Sequence, residues 1–271
     1  IMSSDWSSDV CSSDLSEIRK RDERGKLTKD GERLSRDHFL WTPTPFLGDE
    51  DYNGMRGPHT VFLDNPEGRA VDVGVCSYIL PRDAREPVAY KVYPPGAEPF
   101  TREDTFAHRD SSRLRLRDLA AGLLRVDVDA RAWYFWSEPA VPMVLAGHEE
   151  NGWSAFELQV GVARHWFFRV PEGARSFRVR IEVADPDHAL DAEVHAPDRI
   201  ADKLYTRGQD PQERVVRVPA GLDGRIWFLR LGVGSATRFL SADPDRPTRV
   251  RVDATIRLRG IPGFLAPTWG Q

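Results

Sequence analysis

Cysteine is scarce in this sequence of 271 residues, and long hydrophobic runs and an excess of positive charge are missing from it. Its two cysteines, Cys11 and Cys76, are too few for a disulfide framework. No apolar stretch approaches the roughly 20 residues of a membrane-spanning helix, so we expect no membrane span. The net charge of −4 is unlike the clustered basic excess of nucleic-acid-binding proteins, so we expect no nucleic-acid partner.

The short motifs that mark common catalytic and cofactor sites are missing as well. The sequence contains no Gly-rich phosphate loop, no His-Glu-x-x-His, no Cys-x-x-Cys and no Gly-x-Ser-x-Gly. With 42 acidic residues and seven histidines, spacing alone does not single out a catalytic pair. We therefore assign no catalytic residue and expect no organic cofactor.

The first fifteen residues are dominated by serine and aspartate, and the tripeptide Ser-Ser-Asp occurs three times in them. Ser8–Leu15 resembles the translation of a sequencing adapter, so we interpret residues 1–15 as a non-native tail without packing of its own. Residues 16–56 are charged and irregular in pattern. We interpret them as a linker or the remnant of an upstream domain.

From residue 57 onwards, apolar and polar residues alternate with a period of two. The clearest runs are Val71, Val73 and Val75; Leu124, Val126 and Val128; Phe177, Val179, Ile181 and Val183; and Val252, Ala254, Ile256 and Leu258. This alternation predicts antiparallel strands with one buried and one solvated face. Turn clusters recur about every ten residues, as in a sandwich. The sequence therefore predicts an all-β fold of jelly-roll or immunoglobulin-like sandwich type.

An internal repeat divides the chain into two similar halves. Val61–Gly68 aligns with Trp166–Gly173, Lys91–Pro95 with Glu193–Pro197, and Gly122 with Gly224, at offsets of 102–105 residues. A constant offset over several landmarks indicates duplication. We predict two tandem antiparallel sandwiches with the same strand order, at residues 57–147 and, with the linker, 148–271.

The aromatic run Trp133-Tyr134-Phe135-Trp136 is the first candidate ligand site. In a strand, Trp133 and Phe135 point to one side and Tyr134 and Trp136 to the other. Exposed aromatic rings can stack on sugars, which makes Trp133, Tyr134 and Trp136 candidate glycan contacts. The alternative, which we favour, is that both pairs are mostly buried and that the second pair joins the two sandwiches.

A second candidate is the acidic segment that contains Asp185, Asp187 and Asp191. Oxygen ligands at this spacing can hold calcium. The alternative is a solvated turn set by Asp185 and Pro186. The alternating arginines, Arg178, Arg180, Arg249, Arg251 and Arg257, are expected on solvated sheet faces beside acidic partners.

Two segments carry a resemblance to a known class of protein. Trp166–Gly173 is similar to the opening, and Ile261–Pro267 to the closing tail, of accessory β-sandwich modules at the C-termini of large bacterial secreted polysaccharide-degrading enzymes. The resemblance covers about Trp166–Pro267. The sequence Ala196-Pro197-Asp198-Arg199 departs from the Asp-Pro-Asp-Gly turn of those modules.

This resemblance implies a non-catalytic accessory pair with weak glycan contact. The implied partners are an upstream catalytic domain of the same polypeptide and a polysaccharide, in an extracellular or periplasmic location. Two alternatives stay open: a self-contained hydrolase or lyase with its site between the sandwiches, or a structural surface or adhesion segment. A cleft between the halves lined by carboxylates and a basic residue would favour the enzyme.

Overall fold

The computed structural model describes residues 46–47, 54–76, 85–107, 111–161, 164–234 and 251–267. Within these ranges the chain forms strands and no helix, which confirms the all-β prediction. No helix long and apolar enough to cross a membrane occurs among them. The predicted tail, residues 1–15, lies outside the described residues. The strands are β1 (Phe46–Leu47), β2 (Gly54–Arg56), β3 (His59–Asn65), β4 (Val71–Cys76), β5 (Arg85–Tyr93), β6 (Phe100–Ala107), β7 (Ser111–Leu116), β8 (Gly122–Asp129), β9 (Ala132–Glu138), β10 (Met143–Ala146), β11 (His148–Glu150), β12 (Trp153–Val160), β13 (Arg164–Arg169), β14 (Ser176–Val183), β15 (Ala189–Ala196), β16 (Arg199–Arg207), β17 (Gln212–Arg217), β18 (Ile226–Val233), β19 (Val252–Arg259) and β20 (Phe264–Pro267).

These strands form two antiparallel sheets of ten strands each. Sheet I has the order β17-β14-β19-β12-β2-β9-β4-β7, with β1 paired to β9 and β11 paired to β12. Sheet II has the order β16-β15-β18-β13-β20-β10-β3-β8-β5-β6. Their inward side chains form one hydrophobic core along the whole molecule, as a sandwich requires.

The two halves of the chain have the same strand order. Each of β2–β10 has the neighbours of the strand numbered ten higher, so β8 lies between β3 and β5 while β18 lies between β13 and β15. The strands that begin near Gly122 and Gly224 are therefore equivalent, as the repeat predicts. The halves lie in mirrored order in both sheets, which is the arrangement that a two-fold axis between them produces.

The sheets continue across the point where the halves meet. In sheet I, β2 pairs with β12 through Met55 and Leu158. In sheet II, β10 pairs with β20 through Leu145 and Leu265. All four side chains are fully buried. We call this double junction the seam; the limits of the two predicted sandwiches stay a prediction.

Among the alternating arginines, Arg178, Arg180 and Arg257 pair with acids on the outer face of sheet I. Arg178 contacts Glu213 at 3.1 Å, and Arg180 contacts Glu182 at 3.5 Å. Arg257 bridges Glu150 at 3.0 Å and Glu182 at 2.5 Å. Their predicted pairing is confirmed, while Arg249 lies outside the described residues.

Candidate functional site

The structure separates the predicted aromatic residues of β9. Trp133 and Phe135 are fully buried in the core, and Trp133 donates a hydrogen bond from Nε1 to the carbonyl oxygen of Gly57 at 3.0 Å. Trp133 therefore offers no surface to a ligand. Tyr134 and Trp136 lie on the outer face of sheet I and are half-buried.

Trp136 packs within its own half of the molecule. Its indole lies so close to Gly74 of β4 that any side chain at Gly74 would overlap it. The guanidinium of Arg113 lies 5.1 Å from the ring centroid, and that arginine also contacts Asp72 and Glu138. These contacts fix Trp136 against sheet I; they do not reach across the seam.

The acidic segment forms a turn. Oδ1 of Asp185 accepts a hydrogen bond from the backbone N–H of Asp187 at 2.8 Å, and Asp191 lies further on, in β15. Among the residues that the structure describes, no group of three or more histidine, cysteine, aspartate or glutamate side chains could hold a metal ion. Calcium binding here stays a sequence-based hypothesis.

A cleft of about 610 Å³ lies beside the seam. Its floor is the outer face of β3, β5 and β8, with Thr60, Lys91, Arg125 and Asp127. Its walls come from residues within 146–154, which lead from β10 into β12, and from residues within 258–264, from the end of β19 to the start of β20. Clefts of this volume accommodate small ligands.

A fixed polar group occupies the floor. Arg125 is only 4% exposed, and it donates to both carboxylate oxygens of Asp127 at 2.8 and 2.9 Å. Thr60 also donates to Asp127, at 2.7 Å. The guanidinium carbon of Arg125 also lies over the ring of Tyr93, 4.6 Å from the ring centroid. These partners fix the Asp127 carboxylate in one orientation, and its side chain is 27% exposed.

An aromatic residue stands at the lip. Asn151 and Gly152 have φ values of 51° and 80°, which a two-residue hairpin of the Asn-Gly type requires. The hairpin joins β11 to β12 and brings Trp153 opposite Glu150. Trp153 is half-buried, and the guanidinium of Arg259 lies 5.9 Å from its ring. A second ring contact lines the cleft, Phe62 against Phe264 at 6.3 Å.

His59 lies at the back of the cleft and links the halves. Its Nε2 accepts a hydrogen bond from the backbone N–H of Glu157 at 3.2 Å, and its Nδ1 lies 3.4 Å from the carbonyl oxygen of Gly57. Burial lowers the pKa of His59 to about 4, so the imidazole is neutral. The nearby His148 also lines the cleft, and its buried Nδ1 has no hydrogen-bond partner within the described residues.

The equivalent face of the second half has different chemistry. His195 stacks on Phe228 at 4.3 Å, and Phe167 lies 5.2 Å from Phe228. Glu193 contacts Lys203 at 2.7 Å and His195 at 3.0 Å; these two contacts lower the pKa of its carboxyl to about 2. The side chains of the cleft floor are thus specific to the first half and are not a general consequence of the repeated fold.

The sequence pattern does not single out Trp153, Arg125, Asp127 or Arg259 as site residues. One local signal was present, because Asn-Gly between two short strands is a hairpin dipeptide and Trp153 follows it directly. The remaining contacts depend on which strands meet at the seam.

Comparisons with known proteins place the chain in no family. No family profile and no curated protein matches the sequence. Among solved structures, the chain is similar to the CBM22-1–CBM22-2 tandem domain of Paenibacillus barcinonensis Xyn10C, with a TM-score of 0.21, 10% identity, and coverage of 75% of this chain and 80% of that one.

Two larger structures match in part. The M60 catalytic domain with the CBM51-1 and CBM51-2 domains of Clostridium perfringens ZmpB has a TM-score of 0.25 and 7% identity, over 90% of this chain and 41% of that one. Tripeptidyl peptidase 2 has a TM-score of 0.28 and 10% identity, over 83% of this chain and 23% of that one. Similarity at these scores implies no function for this chain.

Proposed function

We propose that this chain is a non-catalytic carbohydrate-binding protein whose glycan site is the cleft beside the seam. The observation that carries this proposal is the combination of the half-buried Trp153 at the lip with the fixed Arg125–Asp127 pair on the floor. A sugar presents C–H faces that pack on aromatic rings and hydroxyl groups that need placed hydrogen-bonding partners. A largely pre-formed cleft with a few fixed polar groups suits such a ligand.

The polar groups of the cleft support binding more than proton transfer. Asp127 accepts hydrogen bonds from Arg125 and Thr60, so its oxygens are engaged and its charge is balanced. A carboxylate held in this way orients ligand hydroxyl groups. The unsatisfied Nδ1 of His148 is a further group that a hydroxyl could satisfy.

The wider setting of the proposal is an accessory pair of sandwiches in a larger extracellular or periplasmic carbohydrate-active enzyme. The resemblance of Trp166–Gly173 and Ile261–Pro267 to such modules supports this setting. An upstream catalytic domain of the same polypeptide would then be its partner.

The enzyme alternative has one observation in its favour. The cleft lies between the halves and is lined by the carboxylates of Asp127, Asp129 and Glu149 together with basic side chains, which is what a hydrolase or lyase site would need. Incubation with polysaccharides distinguishes the two functions: a hydrolase releases reducing ends and a lyase releases products that absorb ultraviolet light. We expect neither product.

Calorimetric titration with oligosaccharides tests the binding function. Six-residue oligomers of xylose, glucose, mannose and galacturonic acid provide the panel, and we expect saturable binding of at least one. Trp153→Ala should weaken binding about tenfold, the effect of losing one well-placed aromatic contact. Trp136→Ala, on the outer face of sheet I, is the matched control and should bind normally. No binding to any oligomer, or loss in Trp136→Ala alone, would overturn the proposal.

A further inference from the structure

Two cations line the cleft without a carboxylate partner. Lys91 of β5 and Arg259 at the end of β19 belong to its lining, and neither has an ion pair within the described residues. Their contacts are aromatic: Nζ of Lys91 lies 5.1 Å from the ring centroid of Tyr93, and the guanidinium of Arg259 lies 5.9 Å from that of Trp153. The arginines on the outer face of sheet I, such as Arg178, have acidic partners instead.

The other charged groups of the cleft have different positions and roles. Arg125 and Asp127 balance each other on the floor, and His59 is neutral because burial lowers its pKa. Asp129 and Glu149 are exposed residues of the lining, and their carboxylates can accept hydrogen bonds from sugar hydroxyl groups. Lys91 and Arg259 are the cations left to meet negative charge on a ligand.

The fold does not require a cation at either position. In the repeat alignment Lys91 corresponds to Glu193, and the second half forms the same strand pair with that opposite charge. Met55 and Leu158 face each other at the seam and are equivalent positions of the two halves. Trp133 lies opposite Met55 and Ala254 lies opposite Leu158, so Trp133 and Ala254 are equivalent too. Counting five residues along each strand makes Arg259 the equivalent of Glu138, again with opposite charge. In both halves the cross-strand partner has the opposite charge, Asp127 opposite Lys91 and Arg230 opposite Glu193, so the strand pair accepts either sign and leaves it open to selection by a ligand.

We propose that the cleft selects an acidic glycan, one whose sugar units carry carboxylate groups. This inference rests on the proposed carbohydrate-binding function and names its ligand class. Arg259 presents a guanidinium at the lip, beside the ring of Trp153, and a guanidinium can donate two parallel hydrogen bonds to one carboxylate. Lys91 meets a second negative charge from the floor as a point charge.

The test compares acidic and neutral ligands on the full chain. Calorimetric titrations use six-residue oligomers of galacturonic acid and of mannuronic acid, with uncharged oligomers of xylose and glucose alongside. We expect an acidic oligomer to bind at least tenfold more tightly than the neutral ones, with an affinity that falls as sodium chloride is raised, because salt screens exposed charges.

Charge-removing variants assign the effect to the two cations. Arg259→Gln and Lys91→Gln should each weaken acidic binding about fivefold or more and so reduce the preference for acidic over neutral oligomers. Arg69→Gln, which removes an exposed arginine paired with Glu67 at the β3–β4 turn and outside the cleft, is the matched control and should behave as the unmodified protein. Unchanged midpoints of thermal unfolding show that the variants are folded.

The outcomes separate this inference from the function on which it rests. Neutral oligomers that bind as tightly as acidic ones would overturn the acidic selection and leave carbohydrate binding in place. Acidic binding that survives both substitutions would overturn the roles of Lys91 and Arg259. Binding of neither class would overturn the proposed function and this inference with it.

Discussion

The backbone N–H of Glu157 donates a hydrogen bond to Nε2 of His59 over 3.2 Å and so joins β12 of the second half to β3 of the first. The carbonyl oxygen of Gly57 lies 3.4 Å from the other imidazole nitrogen and also accepts from Trp133. An Nε2 that accepts a hydrogen bond carries no proton, so this contact requires the neutral form of His59. The seam therefore includes a buried group that acid can titrate.

The first prediction is a loss of stability in mild acid. Burial lowers the pKa of His59 from 6.5 to about 4, so between these values the unfolded chain binds a proton that the folded chain excludes. The part of the unfolding free energy that depends on neutral His59 is fully present above pH 6.5 and is lost as the pH falls towards 4. At 1.36 kcal/mol per pKa unit, the loss amounts to about 3 kcal/mol. Urea unfolding between pH 7 and pH 4 measures it.

The variant His59→Gln tests whether His59 causes this pH dependence, and His188→Gln is its control. His59→Gln should be less stable at pH 7 by about 1–3 kcal/mol, because it disturbs buried hydrogen bonds, and should lose most of the acid sensitivity. His188→Gln, at a turn outside the seam, should keep it. A pH dependence that is unchanged in His59→Gln would assign the effect to other groups.

The second prediction is that the halves unfold together. Leu145 and Leu265 face each other in the central pair of sheet II and are fully buried. Replacing either by alanine should cost about 2–5 kcal/mol and lower the stability of both halves, since one core runs through them. Amide hydrogen exchange of β8 and β18 reports the halves separately. Weakened protection in only one of them would contradict the shared seam.

Local sequence pattern was sufficient to predict most of the fold. Strands such as β14 and β19 alternate strictly and bury the residues that the alternation selects. The repeated Pro-Glu-Gly turns preserve the register of the two halves, so the common strand order could also be predicted. These features depend on residues close together in sequence.

The cleft could not be predicted in the same way. It exists because β10 pairs with β20 and β2 pairs with β12, and these contacts join residues about 100 or more positions apart. The run Trp133–Trp136 was conspicuous in the sequence, but Trp133 belongs to the core. Alternation placed the four aromatics in pairs and could not say which pair faces inward.

The third prediction concerns the close contact beneath Trp136. A methyl group on Gly74 would overlap the indole, so Gly74→Ala should destabilise the protein by about 1–3 kcal/mol, as overpacking does. In Trp136→Ala the same change at Gly74 should cost less, because the obstructing ring is gone. Chemical unfolding of the two single variants and the double variant measures this coupling. Additive effects would show that the ring moves aside without cost.

The fourth prediction concerns the floor of the cleft. Asp127→Asn removes the carboxylate that pairs with the buried guanidinium of Arg125, and losing one partner of such a pair costs about 3 kcal/mol. Adding Arg125→Met should recover much of that loss, because the buried charge that Asp127 balanced is then removed as well. Unfolding in urea compares the variants. A double variant less stable than Asp127→Asn would contradict the pairing.

The position of a bound glycan tests the central claim most directly. Amide hydrogen exchange of the full chain is measured with and without six-residue oligomers of galacturonic acid and of xylose. Binding in the cleft predicts slower exchange at residues 147–154 and 259–264, with little change in β9. Slower exchange around Tyr134 and Trp136, or unchanged exchange of the protein with both oligomers, would contradict the assignment of the cleft as the carbohydrate-binding site.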